Sequence, residues 1–181
     1  MDNKVILSWE LYFINLAYLT SLRSKDPVTK VGCIIVNPKN RIVSLGYNGF
    51  PDGIKDSQLP WDKNSKDLVE TKYPYVIHAE ENCILHSNII DLTGCTLYTT
   101  HYPCHKCARA IIQKGIRTVI YIYNKNDKAT DIMFKLVNMN VRQTNITSKK
   151  HFEYNQQQNQ YPKVLFYFCF LQFLYICYLG I

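Results

Sequence analysis

The apolar positions follow two periods, and each change of period marks a new element. Over residues 5–23, Trp9, Tyr12, Phe13, Leu16, Leu19 and Leu22 recur at mostly helical spacing, which predicts a first helix. "VGCIIVNP" and "RIVSLGYN" read as two strands, and "NPKN" between them reads as a tight turn. The next stretch, "GFPDGIKDSQLPW", is rich in Gly, Pro and Asp and predicts a long loop. Helical spacing returns from Ala79 to about Ile90. A strand at "CTLYTT", a helix from after Pro103 to about Lys114 and a strand at "TVIYIY" follow. A helix over about 128–138 and a last strand at "NVRQTNI" complete the series. The order α-β-β-α-β-α-β-α-β predicts an α/β fold of three layers, one mixed sheet of about five strands between helices.

After about residue 150 the pattern is lost. "YNQQQNQY" is polar and of low complexity, and residues 164–181 are an apolar run in which Gln172 is the one strongly polar side chain. The expected organisation is a catalytic domain over 1–150, a polar linker over 151–163 and an apolar tail over 164–181. Eighteen residues is the lower edge of what spans a bilayer, so the tail reads as a membrane contact, a subunit contact or an added terminus. No internal repeat is present.

Composition narrows the class. The chain has 181 residues, enough for one domain with a real core, and 47% hydrophobic against 19% charged residues describes a globular protein. "MDNKVILSWE" lacks the basic, apolar and small-residue regions of a secretory signal, and the expected location is the cytoplasm. Seven cysteines, two of them spaced Cys-x-x-Cys beside histidine, favour metal binding in a reducing compartment over disulfides. The net charge of +7 suits anionic partners, but the lysines are scattered and form no stripe of the kind that binds duplexes.

The chemistry gathers at "HYPCHKC", residues 101–107. Pro103 suits the entry to a helix, whose first turn turns Cys104 and Cys107 to one side. If His101 and His105 completed the set, the ion would be closed off and structural; a third ligand from elsewhere, with the fourth position left to water, would make it catalytic. The candidate elsewhere is "HAEENCIL", with His78 at a helix start and Glu80 two residues on. Read singly, His78 is an ordinary structural histidine, Glu80 a helix-start carboxylate and the cysteine pair a redox motif. Together and in this order, His-x-Glu and Pro-Cys-x-x-Cys are the signature of zinc-dependent nucleobase deaminases. The match makes His78, Cys104 and Cys107 the zinc ligands and Glu80 the proton shuttle for water attacking an amino-bearing ring carbon. His105 is then a solvent-facing residue, His101 a pocket or hydrogen-bonding residue, and Cys33, Cys83 and Cys95 small buried side chains.

The likeness extends further. "SLRSKDPVTKVGCIIVNP", "GYNGFPDGIKD", "LPW", "TKYPYVIHAEENCIL" and "YPCHKCARAIIQKGI" are similar to segments of the deoxycytidylate (dCMP) deaminases of the cytidine deaminase superfamily, over about residues 8–145. The resemblance implies a cytidine-deaminase-like fold and conversion of dCMP to dUMP and ammonia, which feeds thymidylate synthesis. It implies that Asn48 holds the sugar and that Ser24 and Lys25 lie near the phosphate; read alone, these segments are a strand-ending turn and a helix exit. Many relatives carry an aspartate-lysine-tyrosine run after the fourth strand. Here a shortened "NKND" stands instead, with Asn126 near the tyrosine's place and Tyr123 as candidate substitute. Tyr102 completes the candidate substrate set. The loop bearing Gly46, Asn48, Gly49, Pro51 and Gly53, with Trp61 of "LPW", resembles the effector region of members activated by dCTP and inhibited by dTTP, which are usually hexamers. The competing readings are a deaminase of nucleosides or nucleic acid and an inactive zinc scaffold. No stable nucleic-acid partner is expected, because the effector-like loop belongs to the small-molecule enzymes.

Overall fold

The computed structural model describes residues 6–144. The linker and tail expected over 151–163 and 164–181, and the far end of "NVRQTNI", lie outside the described residues.

Nine predicted elements are present in the predicted order: α1 (Trp9–Ser21), β1 (Gly32–Val36), β2 (Ile42–Tyr47), α2 (Ala79–Leu85), β3 (Thr96–His101), α3 (His105–Gln113), β4 (Thr118–Tyr123), α4 (Lys128–Leu136) and β5 (Asn140–Gln143). A single 3-10 turn, Leu68–Glu70, interrupts the long loop. The sheet order is β2-β1-β3-β4-β5, with β1 antiparallel to β2 and β3 and the last three strands parallel. The "NPKN" turn is built as its residues require. Asn37 Oδ1 accepts from the backbone of Lys39 and Arg41, and Asn40 takes φ of 57°.

Both sheet faces are covered, which is why the central strands are apolar without alternation. Cys33, Ile35, Leu97, Val119 and Tyr121 face the layer made by α2, α3 and α4. Ile34, Val36, Tyr98, Ile120 and Ile122 face α1 through Phe13, Ile14 and Ala17. Among the described residues no helix is long and apolar enough to cross a membrane.

One boundary needs correction, and α1 buries only part of its apolar residues. Phe13, Ile14, Ala17, Thr20 and Ser21 are buried, whereas Trp9, Tyr12, Leu19 and Leu22 are exposed. The reason is a close approach: a Cβ on Gly32 would lie 2.1 Å from the Ala17 carbonyl and 2.5 Å from the Ser21 nitrogen. Only the small-residue face of α1 can descend that far onto β1. The boundary to correct is that of α2, which stops at Leu85 rather than near Ile90. The Ser87 hydroxyl accepts the Ile89 amide in a local turn that competes with helix, and Ile90 is left exposed.

A matching contact seats α2, where a Cβ on Gly46 would meet the Cys83 nitrogen at 2.4 Å and the Ala79 carbonyl at 2.5 Å. Gly46→Ala should therefore push α2 off β2. A loss of about 1–3 kcal/mol, the usual size for overpacking, is expected in denaturant unfolding, with weaker metal retention.

Candidate active site

The sheet's change of strand direction brings the starts of α2 and α3 together. His78 is the N-cap residue of α2 and Cys104 that of α3; both have extended backbone, and neither side chain caps its own helix. Their side chains are thus free to meet. Cys104 Sγ and Cys107 Sγ each lie 3.4 Å from His78 Nδ1. A tetrahedral zinc with Zn–S of about 2.3 Å and Zn–N of about 2.0 Å separates sulfur from nitrogen by about 3.5 Å. The trio fits such an ion, and the donor set of two thiols and one imidazole is chemically that of zinc.

The electrostatics agree. Hydrogen bonding from Cys107 holds the Cys104 thiol down to about 3 against the effect of burial, with His78 assisting. Cys107 is pushed up by that same hydrogen bond and by burial, so the second thiolate needs the charge of a bound cation. His78 is raised, first by its contact with Cys104.

Glu80 sits in the first turn of α2, 4% exposed, with Thr99 Oγ1 at 3.4 Å from one carboxylate oxygen and Cys107 Sγ at 3.6 Å from the other. Burial raises its pKa, which suits a group that must both take and give a proton.

α4 braces the cysteine turn. Asp127 accepts from the His105 amide at 2.9 Å, pairs with His105 Nδ1 at 3.0 Å and also caps α4 through the Thr130 amide. These bonds hold the Asp127 carboxyl down to about 2. Thr130 Oγ1 donates to the Pro103 carbonyl and the Tyr102 hydroxyl to Asp131 at 2.6 Å. His105 is therefore occupied by Asp127, half-exposed, and outside the trio. Sequence reasoning missed Asp127, Thr130 and Asp131, because their partners lie 22 to 29 residues away.

A cleft opens over the trio, lined by His78, Ala79, Glu80, Tyr102 and Cys104 at one end. Its other walls carry Asp26, Thr29, Asn48, Lys63, Lys72, His101 and Lys125. Asn48 is held firmly: Oδ1 accepts the Val31 amide at 2.8 Å, and Nδ2 donates to the Thr29 carbonyl at 3.0 Å and to Asp26 at 3.3 Å. Asp26 also takes the Lys72 ammonium, in a pair whose side chains are 7% and 1% exposed for Lys72 and Asp26.

The other expected contacts fall elsewhere. The buried Ser24 donates its hydroxyl to the Asn48 carbonyl at 2.8 Å, and Lys25 pairs with Asp56 while largely exposed. Neither lines the cleft. Tyr123 packs against His101 with ring centroids 5.1 Å apart and planes tilted by 49°, and is also absent from the lining. In the effector-like loop, Phe50 and Trp61 pack with ring centroids 4.1 Å apart and planes tilted by 33°, Trp61 Nε1 donates to the Asp56 carbonyl and the Pro51 carbonyl accepts from the Ile54 amide. Gly49 bridges Ile77 and Gly53 takes φ of 88°, while Gly46 serves the α2 contact.

Residues 7–123 match the family described as the cytidine and deoxycytidylate deaminase zinc-binding region. The chain belongs to that family. It is 49% identical over 127 residues to the deoxycytidylate deaminase of Pongo abelii, covering 68% of this chain and 71% of the relative. The Mus musculus deoxycytidylate deaminase is 44% identical over 141 residues, 75% of this chain and 79% of its own. Among solved structures, the dCMP deaminase of cyanophage S-TIM5 in complex with dCMP and dUMP matches with a TM-score of 0.60 at 27% identity, over 74% of this chain and 94% of that one.

Two outcomes test the geometry. Cys104→Ala should lose the metal, whereas His105→Ala should keep it, as measured by elemental analysis of purified protein. The second concerns Asp26. Burial pushes its carboxyl up, but the bonds from Lys72, Thr29 and Val28 outweigh burial and leave it below its ordinary value. Its contribution to stability is full above about pH 4, the unfolded value, and is lost as pH falls through the lower folded value. Denaturation between about pH 5 and 2 should show a shallower pH slope for Asp26→Asn than for the wild type.

Proposed function

We propose that the chain is a zinc-dependent dCMP deaminase, which turns dCMP and water into dUMP and ammonia and so supplies dUMP for thymidylate synthesis in the cytoplasm. The observation that carries the reading is a buried carboxylate, Glu80, touching a His78–Cys104–Cys107 trio of zinc dimensions at the end of a cleft. The likeness to a deaminase solved with dCMP and dUMP supports the choice of substrate.

Bound at the trio, zinc supplies a Lewis acid that brings the pKa of water toward about 7. The protein's own residues do the rest. Glu80 takes the proton of the attacking water, gives it to the ring nitrogen, and then assists the amine to leave as ammonia. Thr99 and the start of α2 fix its carboxylate for both transfers. Asn48, locked by Asp26, Thr29 and Val31, presents its remaining acceptor capacity to the sugar. Tyr102, tied to Asp131, forms the wall beside Cys104. As part of the same proposal, the Phe50–Trp61 loop takes dCTP or dTTP as effector and the enzyme assembles as a hexamer.

Glu80→Gln keeps the shape of the side chain and loses the proton transfer. General acid–base catalysis is worth about 100- to 10,000-fold, so Glu80→Gln should retain zinc and bind dCMP yet lose at least that factor in kcat. Steady-state ammonia release checks it. The wild type should also prefer dCMP to deoxycytidine; equal kcat/KM for the two would remove the nucleotide assignment and leave the deaminase chemistry standing.

A further inference from the structure

We propose that Lys63 and Lys125 are the residues that read the substrate's phosphate. The proposal rests on the nucleotide reading of the cleft and names the groups that make it selective. Three ammonium groups line the cleft, those of Lys63, Lys72 and Lys125, against the carboxylates of Asp26 and Glu80. Lys72 is not a free cation, since Asp26 faces it within a buried pair that is neutral as a whole. Glu80 belongs to the trio's end. Among the described residues, Lys63 and Lys125 have no carboxylate within ion-pair distance, so the cleft keeps two uncompensated positive charges.

Their places suit a phosphate. Lys63 Nζ donates to Thr29 Oγ1 at 3.1 Å, and the carbonyl of the same Thr29 accepts from Asn48 Nδ2 at 3.0 Å. Lys63 is therefore one residue beyond the sugar-holding asparagine. Lys125 follows β4 and lines the cleft with His101, whose pKa is lowered first by burial and then by the Lys125 charge. The two lysines come from separate loops, one in the long loop after β2 and one in "NKND". A 5′-phosphate carries up to two negative charges and suits two such donors, each able to form charge-assisted hydrogen bonds. Lys25, paired with Asp56, and Ser24, spent on the Asn48 carbonyl, offer the cleft no such donor. In the shortened "NKND" segment Asn126 stands near the place of the relatives' tyrosine, and Lys125 beside it supplies a charged donor.

The test compares a nucleotide with its nucleoside. Lys63→Ala and Lys125→Ala, in the zinc-loaded full chain, should each raise KM for dCMP on the order of tenfold, leaving kcat and deoxycytidine kcat/KM unchanged. Calorimetry with dUMP and deoxyuridine gives a readout free of catalysis: dUMP affinity should fall by the same factor and deoxyuridine affinity should hold. Parallel losses for nucleotide and nucleoside would overturn the proposal, as would unchanged dUMP affinity in both variants or a loss confined to Lys25→Ala. A wild type that binds dUMP tightly through both lysines but releases no ammonia from dCMP would instead refute the deaminase reading alone.

Discussion

Everything at this site depends on two helices that begin without a capping side chain. The other helical segments of the described chain start conventionally. Ser8 caps α1 through the Leu11 amide, Asp67 caps the 3-10 turn and Asp127 caps α4. At α2 and α3 the N-cap residues are His78 and Cys104, and neither bonds its own helix. Giving up a good N-cap costs about 0.5–2 kcal/mol at each start. A bound cation that gathers both side chains offsets that cost, because metal binding free energy is also folding free energy. The helix starts can meet only if α2 lies hard against β2, which Gly46 permits, and if the Pro103–His105 turn is held from outside, which Asp127 and Thr130 do.

This explains why the trio was legible in the sequence. Its members stand within two short motifs, each fixed by local helix geometry, so spacing alone carries most of the information. A histidine and a cysteine where a serine or aspartate would serve the helix better are local rule-breaking of the kind that marks function. The element order was legible for the same reason, since period and turn chemistry are local. The buried face of α1 was not. Of six large apolar residues at near-helical spacing, Phe13 is buried while Trp9, Tyr12, Leu19 and Leu22 are exposed, because the approach allowed by Gly32, a long-range fact, selects Ala17 and Ser21 for the interface.

The cleft's far walls were the least legible part for the same physical reason. "RSKDP" puts Ser24, Lys25 and Asp26 side by side, yet their side chains go to three different tasks. Ser24 bonds the Asn48 carbonyl, Lys25 turns out to Asp56, and Asp26 goes inward to Lys72, 46 residues along the chain. Nothing in the local pattern distinguishes them. Lys63 and Lys72 stand among several loop lysines, and only the tertiary structure separates one that reaches the cleft without a carboxylate partner from one that is neutralised.

The Asp26–Lys72–Asn48 network has a further consequence for selectivity. A buried ion pair is weak evidence for stability, because desolvation of the two charges opposes their attraction, whereas removing one partner is costly. Its value here lies in geometry. Asp26 takes four donors, from Lys72, Asn48, Val28 and Thr29, and so fixes the loop that carries Thr29 and the side chain of Asn48 in one arrangement. Thr29 in turn positions the Lys63 ammonium. The same aspartate thus orders the proposed sugar contact, Asn48, and, one bond further on, the Lys63 charge proposed to meet the phosphate. A buried network with its donors met is stiff, and stiffness sets the distance between the trio and the Lys63 ammonium. In the proposed binding mode length of substrate is read together with its charge, since a ring seated at Glu80 places its phosphate at Lys63 and Lys125 only if the sugar between them has the span that Asn48 allows.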